Sequence, residues 1–228
     1  MSHLNCDRDY KNHLQTFFQY LYNNGDVNAK CPQISGYAKR IFNKLKSYSD
    51  NANWALSIDP PWAISLEDDE DFLNRSAYLL ISGKIIVENS MFTFYSFSVS
   101  VVMDSDIIRR FHFDVDTGIK KILKPKCHVQ YGGKAHEKNS MPHLNYLINP
   151  EIKKPRFPFP PLDIILLLDL TTRQFVTSLG KKFVKESFWK NLVKKSERAR
   201  LNEYYNQILQ YFNNLNTDKL TLFEKMCY

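Results

Sequence analysis

Two neighbouring runs of β-forming residues constrain the fold of this chain most strongly. One run, AYLLISGKIIVE, begins at Ala77 and the other, MFTFYSFSVSVVM, begins at Met91, with Asn89 and Ser90 between them. Both runs are rich in β-branched and aromatic residues, and so short a connection is typical of a β-hairpin. The second run carries no charge on either face, so we expect a central strand. Its alternate serines, within residues 96–100, predict a surface on which a helix packs closely.

Two shorter stretches alternate strictly between apolar and polar residues. They are FHFDVD, Phe111–Asp116, and CHVQY, Cys127–Tyr131. Alternate residues of a strand face opposite sides of a sheet, so each stretch has one apolar side and one polar side. If both apolar sides face the core, both polar sides share the other face, because a one-residue slip would expose an apolar set.

The polar side of these two strands brings histidines and aspartates together. An in-phase antiparallel register places Asp114 opposite His128 and His112 opposite Gln130, whereas a two-residue slip brings Asp116 to His128. Cross-strand neighbours lie about 4.5 to 5.5 Å apart at Cβ, so either register permits an Asp–His hydrogen bond.

His112, Asp114 and His128 are the candidate catalytic residues. A carboxylate that holds a histidine in one tautomer makes it a better general base, and the second histidine can act as the acid. With a Lys or Arg to stabilise the phosphorane, these groups suit a metal-independent ribonuclease. The alternatives are an ordinary polar sheet face, solvated or covered by a partner, and a metal site at His128, His136 and His143. That spacing matches no ligand signature, so we expect neither a metal nor a cofactor.

Helical periodicity occurs towards both ends of the chain. It predicts helices over residues 9–23 and 36–48, an apolar helix that follows PRFPFPP and ends near Gly180, and one or two helices from Lys181 to about Leu215. Residues 49–76 contain Pro60-Pro61 and a run of acidic residues, which favours a loop around one short helix.

The positive charge of the chain is concentrated in its second half. The net charge is +7, but residues 1–104 hold 9 Lys/Arg against 12 Asp/Glu, whereas residues 105–160 hold 11 against 5. Such a cluster binds phosphates without reading sequence. The candidate nucleic-acid-binding residues are Arg109, Arg110, Lys120, Lys121, Lys124, Lys126, Lys153, Lys154 and Arg156. Tyr131 and Phe157 offer stacking surfaces, although alternation favours a core position for Tyr131.

The sequence also indicates where the chain acts. The N-terminal stretch MSHLNCDRDYKNHLQTF is charged where a signal peptide needs an apolar run, and the longest apolar run, IILLLDL, is far shorter than the roughly 20 residues of a membrane span. The cysteines are widely scattered, which predicts free thiols. We therefore expect a cytoplasmic protein that engages no membrane.

The order RFHFDVD, HVQYGG and PRFPFPPLDIILLLDLTTRQF resembles a pattern found in uncharacterised small bacterial proteins. In that pattern an aromatic-Asp-x-Asp strand and a His strand precede an Arg-x-Pro segment and an apolar helix that ends in Phe. The resemblance covers Arg110–Phe175. It implies a component of a toxin–antitoxin or phage-defence complex, and it brings no catalytic residues with it.

Together these patterns predict an α+β fold with a mostly antiparallel sheet of about four strands, flanked by N-terminal and C-terminal helices. We expect one domain, 1–228, with a helical and loop part (1–76), the sheet (77–132) and a helical part (161–228). The predicted function is that of a basic protein that binds nucleic acid, RNA or DNA, or an acidic protein partner. A ribonuclease-type toxin comes second. Third is a protein-interaction subunit that forms an oligomer or hetero-complex through its C-terminal helices.

Overall fold

In the computed structural model, the chain forms helices both before and after the strands of a central sheet. It describes residues 6, 9–25, 27, 32–66, 69–72, 74–115, 127–132, 145–146, 156–175 and 177–214. The helices are α1 (Tyr10–Asn23), α2 (Pro32–Ser47), α3 (Ile164–Gln174), α4 (Ser178–Phe183) and α5 (Ser187–Asn213), with a 3-10 turn at Glu70–Phe72. The strands are β1 (Trp54–Ser65), β2 (Ala77–Glu88), β3 (Met91–Met103), β4 (Asp106–Val115), β5 (Cys127–Tyr131), β6 (Asn145–Tyr146) and β7 (Arg156–Pro158).

These strands form one sheet in the order β1-β2-β3-β4-β5-β7. Each pair along this path is antiparallel, and β6 pairs in parallel with the beginning of β4. The α+β class, the predicted β2–β3 hairpin and the central position of β3 are confirmed. The predicted number of strands is too small, because proline obscured β1 and β7 in the sequence and β6 has only two residues.

Strand β1 lies in the region that the sequence favoured as a loop. Its buried side chains alternate through Trp54, Leu56 and Ile58, and this alternation was the available signal. The ladder with β2 shifts register between Ile58 and Trp62, where Pro60-Pro61 lies. Proline lacks an N–H donor and is tolerated on edge strands such as β1. The loop prediction is therefore wrong for residues 54–65.

The C-terminal helices begin at a buried carboxylate. Asp163 caps α3, where its Oδ1 accepts hydrogen bonds from the N–H groups of Ile165 at 3.0 Å and Leu166 at 2.9 Å. The helix ends at Gln174, so the predicted end near Gly180 is wrong. Gly180 lies inside α4, where an added Cβ would lie 2.4 Å from the Thr172 carbonyl oxygen.

Helix α5 is one continuous element of 27 residues. The charged stretch KKSERAR, residues 194–200, lies within it, so the predicted one or two helices do not divide there. Buried residues of α5 include Trp189, whose ring stacks on Phe183 with centroids 4.3 Å apart. The first half of α5 therefore anchors it to the core.

One hydrophobic cluster joins the helices to one face of the sheet. It includes Phe17 and Phe18 of α1, Trp62 of β1, Phe97 of β3 and Trp189 of α5. The Phe18 and Trp62 rings meet edge to face with centroids 5.9 Å apart. The helices therefore cover the face on which Phe97 lies, and the candidate residues of β4 and β5 lie on the other face.

Candidate functional site

A polar band crosses the sheet on the face opposite the helices. The ladder pairs Asp114 with His128 and His112 with Gln130, which is the in-phase register of the two that the sequence allowed. Cross-strand partners share a face, which extends the band onto β2, β3 and β7. The polar band consists of Ser82, Ser96, Ser98, Ser100, Arg110, His112, Asp114, His128, Gln130 and Arg156.

The serine row of β3 lies inside this band. The pairs with β4 are Ser96–Asp114, Ser98–His112 and Ser100–Arg110. On the other side, the Ser98 hydroxyl lies 2.9 Å from that of Ser82. None of the described helices packs on these serines, because those helices cover the other face of the sheet. Each serine lies opposite a larger polar side chain of β4.

Asp114 connects two strands through its carboxylate. The Ser96 hydroxyl donates to Oδ1 at 2.5 Å, and Oδ2 lies 3.8 Å from Nε2 of His128. The second distance is too long for a hydrogen bond but close enough for an ion pair when His128 is protonated. Asp114 can therefore stabilise the cationic form of His128 through its charge.

The two band histidines are almost completely buried. His112 and His128 are each 4% exposed, whereas the Asp114 side chain is 29% exposed. A general base must reach the proton that it removes. In this conformation Asp114 is the accessible member of the candidate catalytic set, and the imidazoles lie beneath the surface.

The arginines predicted to bind phosphate lie on different faces. Arg110 is buried within the polar band, whereas its neighbour Arg109 is exposed on the opposite face. Arg156 is half-buried, and its Nε donates to Oε1 of Gln130 at 3.2 Å. Of these three, Arg109 is the one that presents its charge directly to solvent.

Two aromatic side chains are exposed where β4, β5 and β7 lie side by side. Tyr131 is 40% exposed and Phe157 is 55% exposed, so the core position predicted for Tyr131 is wrong. The Tyr131 ring meets Phe111 of β4 edge to face, with centroids 5.8 Å apart and planes at 69°. Alternation did place Tyr131 on the helix side of the sheet, but it lies where that side is open.

Several predicted residues lie outside the described part of the chain. They are Asp116, Lys120, Lys121, Lys124, Lys126, His136, His143, Lys153 and Lys154. Within the described ranges, no group of three or more His, Cys, Asp and Glu side chains is arranged to hold a metal ion. Among the helices described, none is both long and apolar enough to cross a membrane.

Sequence reasoning missed a polar network in the helical layer. The Ser196 hydroxyl donates to Oδ2 of Asp163 at 2.8 Å and lies 3.0 Å from Nε2 of His13. Since the serine proton goes to Asp163, the His13 Nε2–H donates to the serine oxygen. The order is acid, hydroxyl, imidazole, which differs from a nucleophilic triad because the hydroxyl proton is held by the acid. The network therefore ties α1, α3 and α5 together.

Arg200 places a cation near the same network. Its guanidinium carbon lies 3.7 Å from the Tyr10 ring centroid and 4.5 Å from that of Phe92. Aromatic faces attract a desolvated cation. A charged residue inside an aromatic helical layer gives no periodic signal, so sequence reasoning could not identify Arg200 as buried.

No protein-family model, curated protein or solved structure significantly matches this chain.

Proposed function

We propose that this chain binds nucleic acid at the end of the sheet that carries Arg109. The observation that carries the proposal is the solvent-exposed side chain of Arg109, which lies on the same face of the sheet as the exposed Tyr131. Residues 105–160, which supply β4, β5 and β7, hold 11 Lys/Arg against 5 Asp/Glu. In the sequence, Lys153 and Lys154 are separated from β7 by Pro155 alone. Phosphates favour such a surface through charge, independently of base sequence.

The test is a binding titration of labelled RNA and DNA in EDTA across a salt series. The wild-type protein should bind with an affinity that falls steeply as salt rises. Arg109→Ala should weaken binding and reduce the slope of log K against log salt by about 0.7 to 0.9, the value of one lost phosphate contact. The matched control is Lys84→Ala, which removes one exposed positive charge from β2.

Two outcomes would contradict this function. One is no salt-dependent binding to any nucleic acid. The other is that Arg109→Ala and Lys84→Ala weaken binding equally. Binding would then depend on the net charge of the protein, and the end of the sheet that carries Arg109 would not be a binding site. Binding to an acidic protein in place of nucleic acid would assign the charge to the alternative partner.

The cellular setting remains a separate proposal that rests on the resemblance stated above. We propose that the chain works in a toxin–antitoxin or phage-defence complex, in the cytoplasm. Co-purification with the product of an adjacent gene, resistant to nuclease treatment, would support it. A chain that purifies alone before and after nuclease treatment would contradict it.

The second candidate function is metal-independent RNA cleavage. The observation in its favour is the 3.8 Å separation of His128 Nε2 and Asp114 Oδ2. In this scheme His128 takes the proton of a 2′-hydroxyl, Asp114 orients it and His112 protonates the leaving oxygen. Arg110 shares the face of His112 and would stabilise the phosphorane charge. The burial of both imidazoles ranks this function second.

Cleavage of labelled RNA in EDTA tests the second candidate. His128→Ala should lower the rate by about 100-fold to 10,000-fold, the usual contribution of a general base. Asp114→Asn should lower it as well, because the amide cannot stabilise an imidazolium. If the wild-type protein cleaves nothing, or if His128→Ala cleaves equally well, the Asp–His pair is not catalytic.

The third candidate is a protein-interaction surface on the second half of α5. Tyr205, Leu209 and Phe212 recur at helical spacing there and are exposed. A helical stripe of this kind fits the predicted oligomer or hetero-complex through the C-terminal helices. Leu209→Lys should reduce association measured by light scattering over a concentration series, and Gln210→Lys, an exposed neighbour, is its control. A wild-type monomer without a co-purifying protein would dismiss this surface.

A further inference from the structure

We propose that Phe111, Tyr131 and Phe157 form a stacking surface that selects single-stranded over double-stranded nucleic acid. The inference rests on the proposed nucleic-acid binding and names the class of ligand. We call these three residues the aromatic platform.

The three rings lie on one face of three adjacent strands. Phe111 of β4 lies directly opposite Tyr131 of β5, and Phe157 of β7 lies opposite Val129. Tyr131 and Val129 are two residues apart, so Phe157 is a diagonal neighbour of Tyr131. Diagonal neighbours are about 7 to 8 Å apart, within reach of aromatic side chains. The platform therefore crosses the sheet obliquely, with a ring on each strand.

The platform differs in exposure from the aromatic groups of the core, and its third ring, Phe111, is half-buried. Phe17, Phe97 and Trp189 are completely buried, while Tyr131 is 40% exposed and Phe157 is 55% exposed. Exposed rings on a rigid sheet keep a π-face available to a ligand. A base that stacks on such a ring removes apolar surface from water, and every base has a π-face, so the contact tolerates any sequence.

Charge favours nucleic acid over other ligands with flat apolar groups. Arg109 lies two residues before Phe111 on the same face of β4 and is exposed. A guanidinium beside aromatic rings matches the alternation of phosphate and base along one strand. In a duplex the base faces are already stacked on each other. The platform can therefore contact bases only in single strands, loops or ends.

The experiment compares one short labelled sequence as single-stranded RNA, as single-stranded DNA and as a duplex. Fluorescence anisotropy would be measured at several salt concentrations. The wild-type protein should bind the single strands more tightly than the duplex. Tyr131→Ala and Phe157→Ala should each lower single-strand affinity about 10-fold, at the scale of one stacked base, without changing the salt slope. Tyr131→Phe, which keeps the ring, should retain the affinity.

Phe94→Ala is the matched control, because Phe94 is 39% exposed but lies on the polar-band side of β3. It should leave every affinity unchanged. Thermal unfolding of each variant would confirm an intact fold.

The outcomes separate this inference from the function beneath it. Salt-dependent binding with equal affinity for single strands and duplex, or with no effect of the platform variants, overturns the stacking surface and leaves nucleic-acid binding intact. The absence of any salt-dependent binding overturns both. A third outcome is that the wild-type protein binds no nucleic acid but captures a protein, and that Tyr131→Ala abolishes this capture. That result would assign the platform to a protein partner and would also overturn the inference.

Discussion

Phe97 and Ser98 are consecutive residues of β3, both are completely buried, and they belong to different chemical environments. Phe97 lies on the helix side, next to Tyr95 with ring centroids 5.4 Å apart. Ser98 lies in the polar band, opposite Ser82 and His112. Apolar burial is favourable in itself, whereas a buried polar group must keep its hydrogen bonds merely to avoid a penalty. The apolar burial on the helix side thus stabilises the fold. The polar side instead requires neighbouring side chains that can satisfy each other's hydrogen bonds.

The largest difference between the two faces should come from removing a ring. Phe97→Ala should lower the free energy of unfolding by about 3 to 5 kcal/mol, because it leaves a cavity in a close-packed core. The ring lies against Gly83, where an added Cβ would lie 2.1 Å from Cδ1. Urea unfolding measures the change, and the exposed Phe94→Ala should cost far less. A loss below about 1 kcal/mol would refute the assignment of Phe97 to the core.

On the polar face, a substitution should lower the free energy of unfolding by less, and the losses from two neighbouring substitutions should not add. Ser98→Ala removes the hydrogen bond between the Ser98 and Ser82 hydroxyls, which lie 2.9 Å apart, and should cost about 1 to 2 kcal/mol. Ser82→Ala combined with Ser98→Ala should cost less than the sum of the two single changes, because either change alone already removes this hydrogen bond. A double-mutant cycle in urea measures the coupling. Strict additivity would show that the two hydroxyls do not interact.

The smallest expected effect is a change in pH dependence within the helical layer. Burial lowers the pKa of His13, with Lys195 and Arg200 acting in the same direction and Asp163 opposing them. Below the ordinary histidine pKa of about 6.5, His13 therefore binds a proton more readily in the unfolded chain than in the folded chain. The stability that depends on neutral His13 is fully present above that pH. It is lost as the pH falls towards and through the lowered pKa of His13 in the folded state.

His13→Gln should remove this dependence, because a glutamine amide can donate to Ser196 without titrating. Unfolding free energies of both proteins, measured from about pH 5 to pH 8, should differ by a constant at the alkaline end and converge as the solution is acidified. Parallel curves over the whole range would show that His13 does not titrate in this way.

The shared face of Asp114 and His128 was predictable, because the apolar sides of β4 and β5 must both face the core. The register was not, because a two-residue slip that pairs Asp116 with His128 satisfies the same alternation. The burial of the polar side could not be predicted either, since alternation assigns a residue to a face without saying how accessible that face is. Tyr131 was misplaced for the same reason, because it lies on the core side of a strand where that side is exposed.

Other features required contacts that no local pattern encodes. His13 and Ser196 are separated by 183 positions, so their hydrogen bond follows from helix packing alone. Strand β1 was missed because Pro60-Pro61 outweighed the alternation around it. The two N-terminal helices were predicted correctly, because each prediction depended only on periodicity within a single segment.

The prolines that obscured β1 bear on how the molecule behaves at high concentration. Pro60-Pro61 interrupts one outer strand of the sheet, and Pro158 ends the strand at the other border. An incoming strand from a neighbouring molecule would need an unbroken row of N–H donors, and proline removes donors from such a row. Both borders are therefore poor templates for intermolecular strand addition, so we expect the folded chain to resist fibre-like polymerisation through its sheet.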